Sequence, residues 1–304
     1  MSMQLQNEFS RLKSSVKGLK RFAAFFIFTG ILLIIGTMYA GNTESLPTEL
    51  RIFMIIAAMG SFITAVILHI IAVRKKWKLE SFVTDNVTSL ALSEVFELAE
   101  YAPNKGPAHS VIRNTGLIEN WDNCYGSNMV RGRYKGISFE FSDIELTEEI
   151  VSEDADGKQS TSEHQRFKGQ WLILETTGQI KSELRLRQKA HAKSAKSTIE
   201  TENMAFNAKF QIESRDGLGT FMILTPLFME RIIQAKTLAN GTTSIYFGGR
   251  QVHIAVQNNR NLFKLSPKKS AHGNIESLRE YQRSEIRYIT DILDVFLLCE
   301  NLFG

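Results

Sequence analysis

The residues Ser152 to Glu163 (SEDADGKQSTSE) carry the most chemically suggestive spacing in this 304-residue chain. Asp154, Asp156, Gly157 and Glu163 fall at positions 3, 5, 6 and 12 of the calcium loop D-x-[DN]-x-[DN]-G-x5-E, where a hard cation needs oxygen ligands. Position 1 is Ser152 and the central apolar position is Gln159, and no amphipathic helix follows. The segment therefore reads as a solvated connection between strands, and no metal is assigned to it. His109, His164, His191, His253 and His272 are scattered without a zinc-ligand spacing. His253 alternates with Val252 and Ile254 and is expected to point outward from a strand. Neither a nucleophile elbow nor a phosphate loop is present, and Gly217-Leu-Gly219 stands alone in a turn. Glu140, Glu145, Glu230 and Asn258 are the dispersed polar residues from which an unrecognised enzyme could assemble a site. No catalytic residue and no cofactor follow from these patterns.

A second chemically biased stretch is Lys181 to Lys196, with six cations and one anion in sixteen residues. Lys181, Arg185, Arg187, Lys189, Lys193 and Lys196 are expected to touch anionic headgroups or an acidic partner if this side faces a membrane. The competing reading is a solvated polar insertion.

A membrane is implied by the elements that precede these residues. Phe22 to Ala40 and Ile52 to Val73 are charge-free apolar runs, long enough as helices to cross a hydrocarbon core of about 30 Å. The short connection Gly41 to Arg51 makes them a hairpin. Lys and Arg crowd the outer flanks (Arg11, Lys13, Lys17, Lys20, Arg21; Arg74, Lys75, Lys76, Lys78), whereas the connection holds only Arg51. This asymmetry predicts cytoplasmic termini and a cytoplasmic domain at the cytoplasmic membrane. A cleaved signal peptide is the alternative for the first run, but the run exceeds an ordinary h-region and Met38 sits badly for cleavage after Ala40.

The formal charge of +4 conceals a division. Residues 1–78 carry 10 Lys/Arg and 3 Asp/Glu, leaving the remainder of the chain at −3. The basic balance belongs to the anchor and gives no reason to expect nucleic acid as a partner. Two cysteines, Cys124 and Cys299, exclude a disulfide framework as the main stabiliser. Leu5, Phe9, Leu12, Val16 and Leu19 form one apolar helix face, which could lie in the membrane interface, pair with a second copy, or pack on the chain's own domain. Ala57, Ser61 and Ala65 offer a row of small residues for close approach of the first span, through Gly30, Gly36 and Thr37. His69 sits near the cytoplasmic end of its span, within reach of hydration.

Beyond residue 78 the pattern predicts a helix from Leu79 to Leu98 and a break at Tyr101 to Pro107. Strands follow over Asn128 to Arg131, Ile137 to Phe141, Trp171 to Glu175, Ala205 to Glu213 and Phe221 to Leu224. Thr225-Pro226 reads as a helix N-cap followed by proline at the first helical position. Gly248-Gly249-Arg250 reads as a hairpin turn between strands 241–247 and 251–257. A final helix spans Ile275 to Leu302. Hairpins interspersed with helices, without βαβ alternation, give an α+β class with antiparallel strands. The expected organisation is an amphipathic segment 1–21, a transmembrane hairpin 22–78 and a domain 79–304.

Within that domain the blocks Tyr101-Ala-Pro, Gly126-Ser-Asn-Met-Val-Arg-Gly132, Ile137-Ser-Phe-Glu-Phe-Ser142 with Glu145, Phe167-Lys-Gly-Gln-Trp171, Phe206 to Ser214, Leu224-Thr-Pro226 with Met229-Glu230, and Ile254 to Asn258 with Leu262-Phe263 occur in order. Together they resemble the bacterial DUF3137 family over most of residues 80–300. The resemblance implies one or two N-terminal spans, no catalytic residues, and companionship with LemA-type helical membrane proteins. The polar stretch after Leu146 and the basic segment near Lys189 depart from the family pattern. A membrane-tethered interaction module that docks a protein partner at the inner face of the cytoplasmic membrane is therefore expected, with the dispersed-site enzyme as the alternative.

Overall fold

A computed structural model describes residues 2–43, 47–153, 159–189, 199–263 and 275–297. By contacts the chain forms two compact units, one containing residues 1–87 and 265–279 and the other residues 88–264 and 280–304.

The first unit is built on two long antiparallel helices, α1 (Ser2–Thr43) and α2 (Thr48–Val83). Pro47, extended at φ −55° and ψ 146°, precedes the first turn of α2, and its carbonyl accepts from Leu50 N and Arg51 N. The amphipathic N-terminal face is not a separate element: α1 runs unbroken from Ser2 through the apolar run. Phe9 is buried, and the Gln6 side chain accepts from the backbone N–H of Ile275 in the same unit. Small residues let the helices approach. Gly30 faces the ring of Phe62, where a Cβ would sit at 3.1 Å, and Gly36 faces Met54 in the same way. The buried row on α2 is Ala58, Ala65 and Ala72, a spacing of seven that keeps one seam toward the partner. It lies one residue from the row Ala57, Ser61, Ala65 expected from sequence, sharing Ala65. Phe22, Phe25, Phe28, Phe53, Ile56 and Ile63 point outward. Only 11% of each apolar window is buried, which suits helices solvated by lipid rather than core helices of a soluble fold. His69 is exposed on α2.

The helix expected from Leu79 is a continuation of α2, through a π turn (Thr84–Thr88) into α3 (Ser89–Ser93). It ends earlier than the pattern suggested, because Glu97–Ala102 is already strand β1.

The second unit is an antiparallel sheet carrying helices, as the α+β reading requires. β1 (Glu97–Ala102), β2 (Asn123–Tyr134), β3 (Ile137–Glu153), β4 (Gln159–Gln188) and β5 (Phe210–Ser214) pair in sequence, and β6 (Thr242–Gln257) pairs with β4. The β2–β3 turn is Lys135-Gly136, both at positive φ (50° and 84°), the two-residue geometry that matches strand twist. β3 and β4 continue pairing to Glu153↔Gln159. Ser152 thus faces Ser160 and Glu163 faces Glu149, an extended hairpin at both ends of the calcium-like segment. Asp154, Asp156 and Gly157 lie outside the described residues.

Odd-numbered β3 residues Phe139 and Phe141 join even-numbered β4 residues Leu172, Leu174, Leu184 and Leu186 in the larger core, under α5 (Met204–Lys209), α7 (Pro226–Ala239) and α8 (Ile275–Leu297). Ile144, Leu146, Phe167, Trp171, Ile173 and Ala255 fill a second core on the other face, with Ile112, Leu117 and Trp121. Both faces of the sheet are therefore covered.

Three local expectations are corrected. Residues 204–209 are helix, because Asn203 caps it by accepting from Phe206 N, and Phe206 and Phe210 stack four residues apart at 5.0 Å. Residues 217–223 are helix α6, capped by Asp216, whose carboxylate accepts from Gly219 N at 3.0 Å. Gly248-Gly249-Arg250 is no hairpin turn: both flanks belong to one strand, because β4 runs alongside both of them. The Thr225 cap with Pro226 is present as read, the Thr225 hydroxyl accepting from Phe228 N.

Candidate functional site

β4 and β6 pair continuously from Gly169↔Gln257 to Glu175↔Gln251, then lose register through Ile180↔Gly249 before resuming at Leu184↔Phe247. Such an interruption re-aims side chains and opens a sheet. Here it borders a cavity of about 820 Å3, walled by Glu175, Thr176, Glu183, Tyr246, Gly248 to Gln251 and His253. Gly248 is required because a Cβ would collide with the Tyr246 ring, whose Cζ would lie at 2.6 Å. That ring is held in place as its hydroxyl donates to Glu183 at 3.1 Å.

The opposite wall is Val111, Asn114 and Thr115, from α4 (His109–Arg113) and the turn after it. This turn is pinned by two residues of the basic segment. Arg185 Nε donates to Thr115 O at 2.6 Å; Arg187 donates to Leu117 O at 3.2 Å and Gly116 O at 2.5 Å, and pairs with Glu213. Arg113 stacks on Trp121 at 3.9 Å and closes the same turn through Trp121 O.

A second cavity of about 440 Å3 shares Val111, Glu175 and Gln251 with the first, so the two make one groove. Its walls add Leu98, Arg131, Arg133 and Glu140. Arg131 pairs with Glu140 at 2.7 Å. Leu98 is 84% exposed and left-handed at φ 52°, a conformation costing a branched L-residue about 1–2 kcal/mol.

His253 lines the groove and is 2% exposed, although it was expected to point outward from its strand. The alternation was correct, but the second core covers that face. Trp171 Nε1 donates to His253 Nδ1 at 3.2 Å, so the neutral ring carries its proton on Nε2 and donates it to Gln251 Oε1 at 3.1 Å. Burial pulls the pKa of His253 down to about 4.

On the helical face of the sheet lies a buried polar network centred on Asp143, itself 2% exposed. Asn128 Nδ2 donates to Asp143 at 2.7 Å and to Leu262 O at 2.8 Å; Gln170 Nε2 donates to Asp143 at 3.3 Å and to Arg260 O at 2.8 Å. Asn258 donates to Gln170 at 2.6 Å, Tyr101 donates to Asn128, and Arg260 pairs with the buried Glu285 of α8. Burial pushes the Asp143 carboxyl up to about 7, against hydrogen bonds from Asn128, the Leu262 backbone and Gln170 that favour the ion. Burial likewise raises the Tyr101 and Tyr288 hydroxyls.

The residues named from sequence fare differently. Residues 181–188 are not a loop but the end of β4. Arg185 and Arg187 are half-buried and engaged as above, whereas Lys181 and Lys189 are exposed; Lys193 and Lys196 lie outside the described residues. Glu140 lines the groove, Glu145 pairs with Lys168 at 2.7 Å, Glu230 is exposed on α7 and Asn258 belongs to the Asp143 network. The four are not brought into one site. Among the described residues no cluster of three or more His, Cys, Asp or Glu is arranged to hold a metal. Asp143 and Gln170 escaped the sequence reading although the signal was there: they continue the inward phase of Phe139 and Phe141, and of Leu172 and Leu174.

A crystal structure of the mycobacterial trehalose monomycolate transport factor A, TtfA, is similar at 12% identity, covering 66% of this chain and 92% of that one, with a TM-score of 0.35. That score is too low to establish a shared fold. No curated protein matches the sequence. The profile of the family described as "Protein of unknown function (DUF3137)" matches residues 160–298, from the middle of the β3–β4 hairpin through α8, and this match supports the assignment of the chain to DUF3137.

Proposed function

We propose that the chain is a membrane-tethered interaction module whose α+β domain receives an extended segment of a protein partner in the groove beneath α4. In this reading the helical hairpin crosses the cytoplasmic membrane with both termini and the domain on the cytoplasmic side. The carrying observation is the two-lobed groove itself. It is floored by sheet and lined by Glu175, Glu183, Tyr246 and Gln251, with the exposed, left-handed Leu98 in the wall of its second lobe. Leu98 stands in the register shift of β1 between Glu97 and Glu100, and such a bulge turns a side chain out of the sheet and toward a ligand. Glu140 and Glu183 are paired with Arg131 and Arg185, which leaves Glu175 to meet a basic side chain and Arg133 and Arg250 to meet acidic ones on the bound segment. A LemA-type protein, implied by the family resemblance, is the first partner to test.

A photo-crosslinking amino acid at Leu98 or Asn114, irradiated in native membranes, should give a discrete protein adduct that Glu175→Lys abolishes. Leu98→Gly should weaken the adduct formed from Asn114 while leaving the melting temperature unchanged or higher. Absence of an adduct at both positions would remove the groove as a docking site.

The orientation is tested separately. A reporter active only outside the cytoplasmic membrane should be silent when fused after Gly304 and active when inserted near Thr43. The reverse pattern would overturn the cytoplasmic placement.

A further inference from the structure

Helix α6 and the first turn of α7 leave four large apolar side chains exposed. Leu218, Phe221 and Met222 occupy one face of α6, and Leu227 follows in the first turn of α7; they are between 48% and 76% exposed. Their neighbours Thr220, Ile223, Leu224 and Phe228 are buried, so the two short helices are fixed to the domain through one side and present the other. The capping acid at this corner is already committed: Asp216 accepts from Ser182 Oγ at 2.7 Å and from Gly219 N at 3.0 Å. These bonds, the Ser182 hydroxyl first, hold its carboxyl below the usual range. Ser182 places its exposed neighbours Lys181 and Glu183 beside α6, Glu183 being occupied by Arg185 and the Tyr246 hydroxyl, and Arg215 is exposed immediately before it. Glu230 is the single acid within α6 and α7, set against Arg231 and Lys236.

We propose that this corner is a lipid-contact surface, in which Leu218, Phe221, Met222 and Leu227 enter the interface of an anionic bilayer while Lys181 and Arg215 meet its headgroups. An apolar knob rimmed by cations is the chemistry that favours a bilayer interface over water. The bilayer is available because α1 and α2 carry lipid-exposed apolar faces on the same chain. This assigns to Lys181 alone, among the described cations of the basic segment, the headgroup role expected for all of them: Arg185 and Arg187 are consumed in pinning the turn after α4, and Lys189 lies seven residues along the chain from Ser182, the β4 residue bonded to the α6 cap. The inference is independent of the groove and does not fall with it.

The test uses the full chain reconstituted in bilayers, comparing Phe221→Trp with the parent so that Trp77, Trp121 and Trp171 cancel. In bilayers with about one-third anionic lipid, the added emission should be blue-shifted and at least halved by brominated acyl chains. Quenching should weaken at least twofold in purely zwitterionic bilayers and in the variant that also carries Lys181→Gln and Arg215→Gln. Red-shifted, unquenched emission would mean the corner faces water, and blue-shifted, unquenched emission would mean a protein covers it; either overturns the proposal. Quenching equal in all bilayers and variants would overturn the headgroup role of the two cations.

Discussion

Asp143→Asn should stabilise the domain by roughly 3 kcal/mol at pH 8 relative to the parent and change it by no more than about 1 kcal/mol near pH 4. Asp143 is buried among amides, and its pKa in the fold, about 7, lies above the usual 3.8. The protonated carboxyl is therefore the form the fold favours. Its contribution is complete below about pH 4 and is lost as pH rises through 7, a span of about 4 kcal/mol at 1.36 kcal/mol per unit. His253 runs the other way. Its pKa in the fold is about 4 against the usual 6.5, so its contribution is present above 6.5 and lost as pH falls toward 4. The two trends oppose each other in the parent protein, which should show a shallow pH profile between 4 and 7. Removing the Asp143 titration unmasks His253, and the variant should lose stability steeply with acid. Urea unfolding of the full chain in detergent, followed through Trp121 and Trp171, measures both curves. Parallel pH profiles for parent and variant would show that Asp143 does not take up the proton.

Arg187→Met should cost the domain about 2–4 kcal/mol, because one guanidinium donates to Gly116 O and Leu117 O while pairing with Glu213. The substitution leaves two carbonyls without their donor and reduces the partly buried Glu213 carboxylate to its bond from Gln211. Arg187→Lys should recover less than half of the loss, since an ammonium cannot reproduce a planar fork that reaches four acceptors, Glu119 included. Amide hydrogen exchange should rise at Thr115 to Leu117, the wall of the groove, before it rises in β3. A loss under about 0.5 kcal/mol, with exchange at the turn unchanged, would show that Arg185, α4 and Trp121 hold the turn without Arg187.

How much of this was readable beforehand depended on whether a pattern was local. The two apolar runs, the Thr225-Pro226 cap, the β3 alternation and the start of the last helix at Ile275 are set by neighbouring residues, and each is found where the sequence places it, while the expected helix end at Leu302 lies outside the described residues. Phe206 to Ile212 alternates as a strand should, yet the Asn203 side chain captures Phe206 N and begins a helix first. Gly248-Gly249 has the composition of a hairpin turn, and only the pairing of distant β4 with both of its flanks keeps the chain straight. The Asp143 network, the groove and the internal use of Arg185 and Arg187 all join segments far apart in sequence, which periodicity does not register. His253 was placed on the correct face, but what covers that face, Trp121 and Ile112 among others, arrives from outside the strand.

The 30-residue β4 is the one strand to which β3, β5 and β6 all attach, and this sets an order of assembly. β2, β3 and the first half of β4 form a meander with short loop closure, so they can pair as soon as they emerge during synthesis. β6 leaves the ribosome much later, with Gln257 as the partner of Gly169. Until then, Trp171 to Leu174 has no neighbour on one side, an apolar strand with open hydrogen-bonding groups beside a membrane that is already being inserted. A chain stopped between Ser214 and Gly241 would carry that edge permanently. Such truncations should aggregate, even though they contain both membrane helices and most of the sheet.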